Sequence, residues 1–469
     1  MGEISDAGIQ VNDEFIVNVD EEMKRWDRKS IYKRPACVTN LNENAYKPQV
    51  VSFGPYHYND DKLKSMEEHK RRALAHFLER SKKPLPSYIS SLREIVQDVK
   101  DAYDPLPPEW NEKTDEFLEL MIWDGCFMLE ILRTSILSMR DYARNDPIFS
   151  NHGRVYIMPY IQRDMLMLEN QIPLSVLEKL LKVENEESPQ KNKDFISRLI
   201  LQFYHLDTNI KPEGKSLHVL DVFRKSMLQG ADPSSKPKIL NQLLSSCFGM
   251  QQPLRKPPPE AYPSSKSKIL NQLSSCFGTK QPGLDSKDEI VRSATELNEA
   301  GIKIEKSTTK CLKDITFDRG ILKLPPIVVD DVTGTTFLNL IAFERFHVGA
   351  GNEVTAYVFF MDSIINDSED VKLLHSGGII QNALGSDKAV ADLFNSLLKD
   401  GTLDPDSSLN KVHNMVTSYC KNPWPRWRAN LSQTYFTNPW AFISFIAAIF
   451  LFALTTTQTG YSISDYYRG

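Results

Sequence analysis

The sequence has no CxxC pair and no closely spaced Cys/His group. Its six cysteines stand at positions 37, 126, 247, 276, 311 and 420, too scattered for a zinc-type ligand set. It also lacks a strong charge of either sign. Lys and Arg total 56 against 61 Asp and Glu, a formal net charge of -5, so no global positive field favours nucleic acid. The opening MGEISDAGIQVNDEF has neither a basic n-region nor an apolar h-region. No signal peptide is expected, which places the body in the reducing cytosol with free thiols. Asp6 stands where a myristoylation pattern requires Ser or Thr. The patterns GxxxxGK[ST], GxGxxG, GxSxG and HExxH are all absent. No cofactor, metal ligand or catalytic residue is therefore assigned from a motif, and the chain is not expected to be an enzyme of a recognised type.

Core material is plentiful. Of the 469 residues, 41% are apolar and 10% aromatic, which excludes a wholly disordered chain. The patterning predicts a mainly α protein with a few short β-strands (α+β): a large helical cytosolic body plus one C-terminal transmembrane helix. Residues 1–30 read as a polar lead-in. The body falls into 31–228 and 287–420, separated by a Pro/Ser-rich stretch at 229–286. There PSSKPKILNQLLSSCFG (233–249) recurs as PSSKSKILNQLSSCFG (263–278), a tandem duplication inside a tolerant loop rather than a solenoid, which needs three or more units. Spacings of three and four predict a helix at 63–78, with Lys70 the one polar intruder and Ser65/Glu68 a capping box, and the segment 114–137, apolar on nearly every face, reads as a buried helix. Asp164 is a candidate N-cap, Pro173 suits a helix start, and Asp194 suits the start of a further helix. Past the loop, Gly301 is expected as a left-handed C-cap. Ile315 and Phe317, turning at Asp318-Arg319-Gly320 into Leu322 and Leu324, predict a hairpin. Helices are expected at 336–347, 353–365, 369–376 and 388–398.

The stretch KPQVVSFGPYHYND (47–60) supports two readings. A strand ended by Gly54-Pro55 could present His57 as a general base between the phenols of Tyr56 and Tyr58. It could equally be a turn whose aromatics fill a core. Asp124, in the middle of an apolar helix, must find a partner or be neutralised. Glu169, Asn170 and Gln171 are wedged at a helix junction, where backbone hydrogen bonds are the usual fate of buried polar groups. Should a site exist, its candidates are Tyr56, His57, Asp124, Glu169 and Asn170, with His69 a further scattered histidine. An active site requires them to line one open cleft; a filled core argues against it.

The C-terminal segment WAFISFIAAIFLFAL (440–454) carries no charge, and with its flanks the uncharged stretch from 439 to 459 reaches about 30 Å as a helix. That suffices to cross a bilayer, with Trp440 and Tyr461 where interfacial aromatics stand. Lys421, Arg426 and Arg428 precede it, in a juxtamembrane segment at 421–438, and Arg468 follows it. The positive-inside bias then leaves the body cytosolic, sends 460–469 across, and makes the chain single-pass and tail-anchored.

Several of these segments together resemble the land-plant family catalogued as domain of unknown function 247. They are IYKRPACVTNLNENAYKPQVVSFGPYHYND with MEEHKRRAL, then FLELMIWDGCFMLEIL, RDMLMLENQIPLSVLEKL, SATELNEAGIK, FDRGILKLPPIVVDD with NLIAFE, and YVFFMDSIINDSEDVKLLHSGGIIQNALGSD. The duplicated loop departs from the family pattern. The resemblance implies a closing membrane segment and no established enzymatic activity or ligand; some grass members are implicated in self-incompatibility, a recognition function. The leading expectation is a membrane-tethered recognition or signalling protein that binds another protein. The alternative is an enzyme of unrecognised type built on His57, Asp124 and Glu169, and a scaffold without a regulated partner is a third.

Overall fold

The structure, a computed structural model, describes residues 23, 26–34, 43–136, 141–185, 189–230, 292–398, 408–421 and 439–468. Most of the polar lead-in, the duplicated loop and the juxtamembrane stretch lie outside the described residues. The N-terminal half comprises β1 (Ile31–Tyr32), α1 (Lys64–Ser81), α2 (Leu85–Arg93), α3 (Val96–Asp101), β2 (Tyr103–Asp104), α4 (Glu109–Glu112), α5 (Thr114–Arg133), α6 (Asn151–Tyr156), α7 (Met158–Asp164), α8 (Leu174–Asn185), α9 (Pro189–Phe203) and α10 (Val219–Leu228). After the loop come α11 (Ala294–Glu299), β3 (Lys303–Lys306), β4 (Thr316–Asp318), β5 (Ile321–Leu324), β6 (Ile327–Val329), α12 (Thr333–Phe346), α13 (Glu353–Ile364), α14 (Ser368–Ser376), β7 (Ile380–Asn382), α15 (Asp387–Leu397), α16 (Ser408–Lys421) and α17 (Pro439–Arg468). The expected mainly helical class with a few short strands is what forms.

Helix α5 is the axis of the N-terminal half. From Phe117 to Arg133 nearly every side chain is buried, because α1, α2, α8 and α9 pack around it, so an all-round apolar sequence finds apolar surroundings on every face. Gly125 is what lets α8 come close: a Cβ there would lie 2.5 Å from Leu180 Cδ1 and 3.2 Å from Val176 Cγ1. The helix stops at Arg133, four residues short of the expected 137, as the chain turns away at Thr134, whose hydroxyl bonds the Ile131 carbonyl. Helix α1 begins at Lys64 behind Leu63, which offers no capping side chain. The Ser65/Glu68 capping box does not form, and packing of Met66, Ala73, Leu74 and Phe77 carries this helix instead. Asp194 lies inside α9, which starts at Pro189.

In the C-terminal half the Phe317–Leu322 hairpin forms as expected, β4 antiparallel to β5, with Arg319 and Gly320 both at positive φ in its turn. Gly301 is left-handed at φ 88°. Two parallel pairings have no local sequence signal: β3 with β5 and β6 with β7, strands about fifty residues apart. Ile327 and Val329 belong to a run interrupted by prolines, and only the partner at 380–382 makes it a strand. A single buried cluster extends from Ile31 through α5 to Val416 in α16. The last helix, α17, continues from Pro439 to Arg468, past the expected end at 459. Thr455, Thr457 and Thr459 donate to the carbonyls of Leu451, Ala453 and Thr455, which satisfies their hydroxyls without leaving the helix.

Candidate functional site: a segment held by buried carboxylates

Residues 49–54 pair with no strand, so the expected β-strand is corrected. Its backbone donors go to side chains instead. The N–H groups of Gln49, Val50 and Val51 all donate to Asp164 Oδ2, at 2.9, 2.7 and 3.1 Å. Phe53 N–H donates to Asn170 Oδ1 at 2.7 Å and Gly54 N–H to Asp124 Oδ2 at 2.7 Å. Asn170 Nδ2 returns a bond to the Val51 carbonyl at 3.0 Å. Three polar side chains thus replace the missing neighbour strand, which accounts for every one of these donors. Asp164 occupies the last position of α7, so it caps the 49–51 segment rather than the start of its own helix.

Asp124 is fully buried, and its second oxygen stands 2.7 Å from the ammonium of Lys70, itself wholly buried and 2.6 Å from Glu67. The polar intruder of α1 is therefore the partner that the Asp124 carboxyl requires. Burial pushes that carboxyl up to about 6 against the lowering effect of Lys70. Burial likewise raises Asp164, opposed by its three backbone donors.

Glu169 accepts the Arg34 N–H at 2.9 Å and faces His57 Nε2 at 3.6 Å. That distance is too long for a hydrogen bond, and the imidazole is held neutral: burial, with the Arg34 charge next, depresses His57 to about 4. The Tyr56 hydroxyl donates to the Ile31 carbonyl, and its ring meets Tyr103 edge-on at 5.6 Å. Tyr58 packs on Trp110 at 5.2 Å. Gly54 takes φ 75°, and a Cβ there would sit 2.7 Å from the Gln171 carbonyl and 2.9 Å from the Tyr103 hydroxyl.

The predicted candidates therefore do converge on one segment. Asp124 and Asn170 have no exposed surface and Glu169 only 6%, so they converge in a filled core and not in a cleft. Among the described residues no three His, Cys, Asp or Glu side chains are placed to hold a metal ion. His69 lies on α1, half-buried, apart from this network. Asp164 and Gln171 complete the arrangement. Gln171 donates to the carbonyls of Met165 and Met167 and accepts the Leu220 N–H. Sequence reading placed both at the junction without their targets, which lie more than a hundred residues from Asp164 and forty-nine from Gln171. Asn339 and Arg224 gave no signal. Asn339 accepts the Leu168 N–H and donates to the Ala45 carbonyl, fastening the C-terminal half to this junction. Arg224 does the same from α10, reaching Glu344 at 2.7 Å and Glu353 at 2.8 Å.

The class so defined is a helical body sharing one core, followed by a helix long and apolar enough to cross a membrane, Ile443–Ile463, none of it buried. The chain belongs to the family described as plant protein of unknown function (DUF247), whose model matches residues 31–454. It is 30% identical over 455 residues to the UPF0481 protein At3g47200 of Arabidopsis thaliana, covering 93% of this chain and 86% of that one. It is 23% identical over 512 residues to the putative UPF0481 protein At3g02645 of the same plant, covering 95% and 93%. No solved structure matches.

Proposed function

We propose that this protein is a membrane-tethered recognition or signalling component whose cytosolic helical body binds another protein. The observation that carries the tether is the Ile443–Ile463 stretch: 21 residues of mean hydropathy 1.5 with no part buried, including Phe450, Leu451 and Phe452 at more than 60% exposure. Such a surface is costly in water and at home in hydrocarbon. Lys421, Arg426 and Arg428 on its N-terminal side favour a cytosolic body. Recognition is preferred over catalysis because the polar groups that catalysis would need, Asp124, Glu169 and Asn170, are committed to backbone donors in a closed interior.

Carbonate extraction of membranes from cells expressing the full chain tests the tether, and release into the supernatant would refute it. Protease protection in cytosol-side-out vesicles tests the orientation: the body should be digested. Asn366 provides an independent check, since it is exposed within the sequon Asn366-Asp367-Ser368; a glycan there would put the body on the lumenal side. Proximity labelling in native tissue, followed by a direct binding measurement with the captured protein, tests recognition, and turnover of a small molecule that disappears in Asp124→Asn would favour the enzyme reading.

A further inference from the structure

Helix α17 carries one side chain whose hydrogen bonds are left open. Its apolar stretch Ile443–Ile463 holds no charged residue, six Ser and Thr residues, and a single side-chain amide, Gln458. Each of the six hydroxyls is satisfied inside the helix. Ser444, Thr455, Thr457, Thr459 and Ser462 donate to the carbonyls of Trp440, Leu451, Ala453, Thr455 and Gln458, and the Thr456 hydroxyl reaches those of Phe452 and Ala453. Such bonds carry hydroxyls through hydrocarbon without a second chain. The Gln458 side chain makes no bond of this kind among the described residues, which leaves two N–H donors and a carbonyl open.

Gln458 lies five residues inside Ile463, roughly 8 Å along the helix axis, so the bilayer that α17 crosses surrounds it with acyl chain rather than water. There an amide without a partner is costly, and a facing helix can supply one. None of this stretch is buried against the described residues of the body, so the body does not supply it. One turn to either side of Gln458, on the same face, stand Thr455 and Ser462. Both are short, and their hydroxyls are already turned back onto their own helix. With Leu451 these residues recur at spacings of four, three and four, the seam period of two helices packed side by side. Short neighbours let two backbones come close enough for an amide to reach across.

We propose that α17 pairs with the α17 of a second copy of this chain, along a seam centred on Gln458. The inference rests on the membrane tether proposed above. The occupant is a second copy because a primary amide is self-complementary. Across a two-fold axis each Gln458 donates an N–H to the other's carbonyl and accepts one in return, so one contact satisfies both without a third group. Pairing brings two bodies onto one patch of membrane, where a partner presenting two sites is held by both.

The test uses the full chain, tagged behind Gly469 with donor or acceptor fluorescent proteins and reconstituted as a mixture in phosphatidylcholine vesicles. Energy transfer followed as lipid is added gives a dissociation constant for pairing. Gln458→Leu keeps the helix apolar and should raise that constant at least fivefold. Thr456→Leu, on the opposite face, removes a hydroxyl from the same stretch and should change it less than twofold. Mild oxidation should link copies through Ser462→Cys at least fivefold more than through Gly460→Cys, a position off the seam where an added Cβ meets nothing within 4 Å. A carbonate-resistant chain whose energy transfer falls on dilution as for unassociated helices would overturn this inference alone, leaving Gln458 to another protein's helix or to water. So would a Gln458→Leu chain that pairs as tightly as wild type, or equal linking through 460 and 462. A chain that carbonate strips from membranes would overturn the tether and this inference with it.

Discussion

Gly54 is held at φ 75° between the Gln171 carbonyl and the Tyr103 hydroxyl, so any side chain meets both strain and collision. Gly54→Val is expected to destabilise the full chain in detergent by about 3 kcal/mol or more in denaturant titration, whereas Gly214→Ala, at φ 70° with nothing within 4 Å, should cost only about 1 kcal/mol. Equal shifts would show that Gly54 is not a packing requirement. Lys70 and Asp124 form a coupled buried pair. Lys70→Met strands the carboxylate and should cost about 3–5 kcal/mol near neutral pH. The double variant Lys70→Met, Asp124→Asn should recover part of that loss, which a double-mutant cycle reads as coupling.

His57 supplies a pH signature. Its folded value of about 4 lies below the ordinary 6.5, so between these limits the unfolded chain binds more protons. Its contribution to stability is present above pH 6.5 and is lost as pH falls towards 4, a difference of roughly 3 kcal/mol at most. His57→Gln should remove that part of the acid sensitivity: the gap between wild type and variant narrows as pH drops through this window, as measured by unfolding at fixed denaturant. A parallel pair of curves would place His57 in water. Asp124 works in the opposite sense, since its raised value costs stability as pH rises from about 4 to about 6.

At the scale of elements, α5 and α8 approach because position 125 has no side chain. Gly125→Leu is expected to destabilise by more than about 3 kcal/mol despite leucine's better helix propensity, which is worth only about 1 kcal/mol. Unfolding midpoints would check it, and a gain in stability would mean that the two helices are not in contact. The expected helices of the body were legible because apolar spacing is a local property. Their ends were not. The Ser65/Glu68 box and the Asp194 cap have the right residue types but lose to burial of Met66 on α1 and to a helix that begins earlier at Pro189. The Val50–Phe53 run illustrates the same point for strands. It is largely apolar, yet the N–H groups of Val50, Val51 and Phe53 go to the Asp164 carboxylate and the Asn170 amide, not to a strand.

For the whole molecule, the sequence by itself determined the helical class, the Phe317–Leu322 hairpin, the apolar 440–454 run and the need of Asp124 for a partner. Each depends on residue type and near neighbours: periodicity, turn chemistry, length against bilayer thickness, and the desolvation cost of one charge. It also named the polar residues that gather at the candidate site. Only the tertiary structure decided what they do there. Lys70 and Asp124 are fifty-four positions apart, Asp164 and Val51 are separated by 113, and Asn339 reaches back 294 residues to Ala45. No local pattern encodes such a distance, because a buried polar group specifies only that it must be satisfied and leaves the partner to the packing of the chain. The same holds for the parallel pairing of β6 with β7. Shape and closure of the core select these contacts from many that the composition would allow.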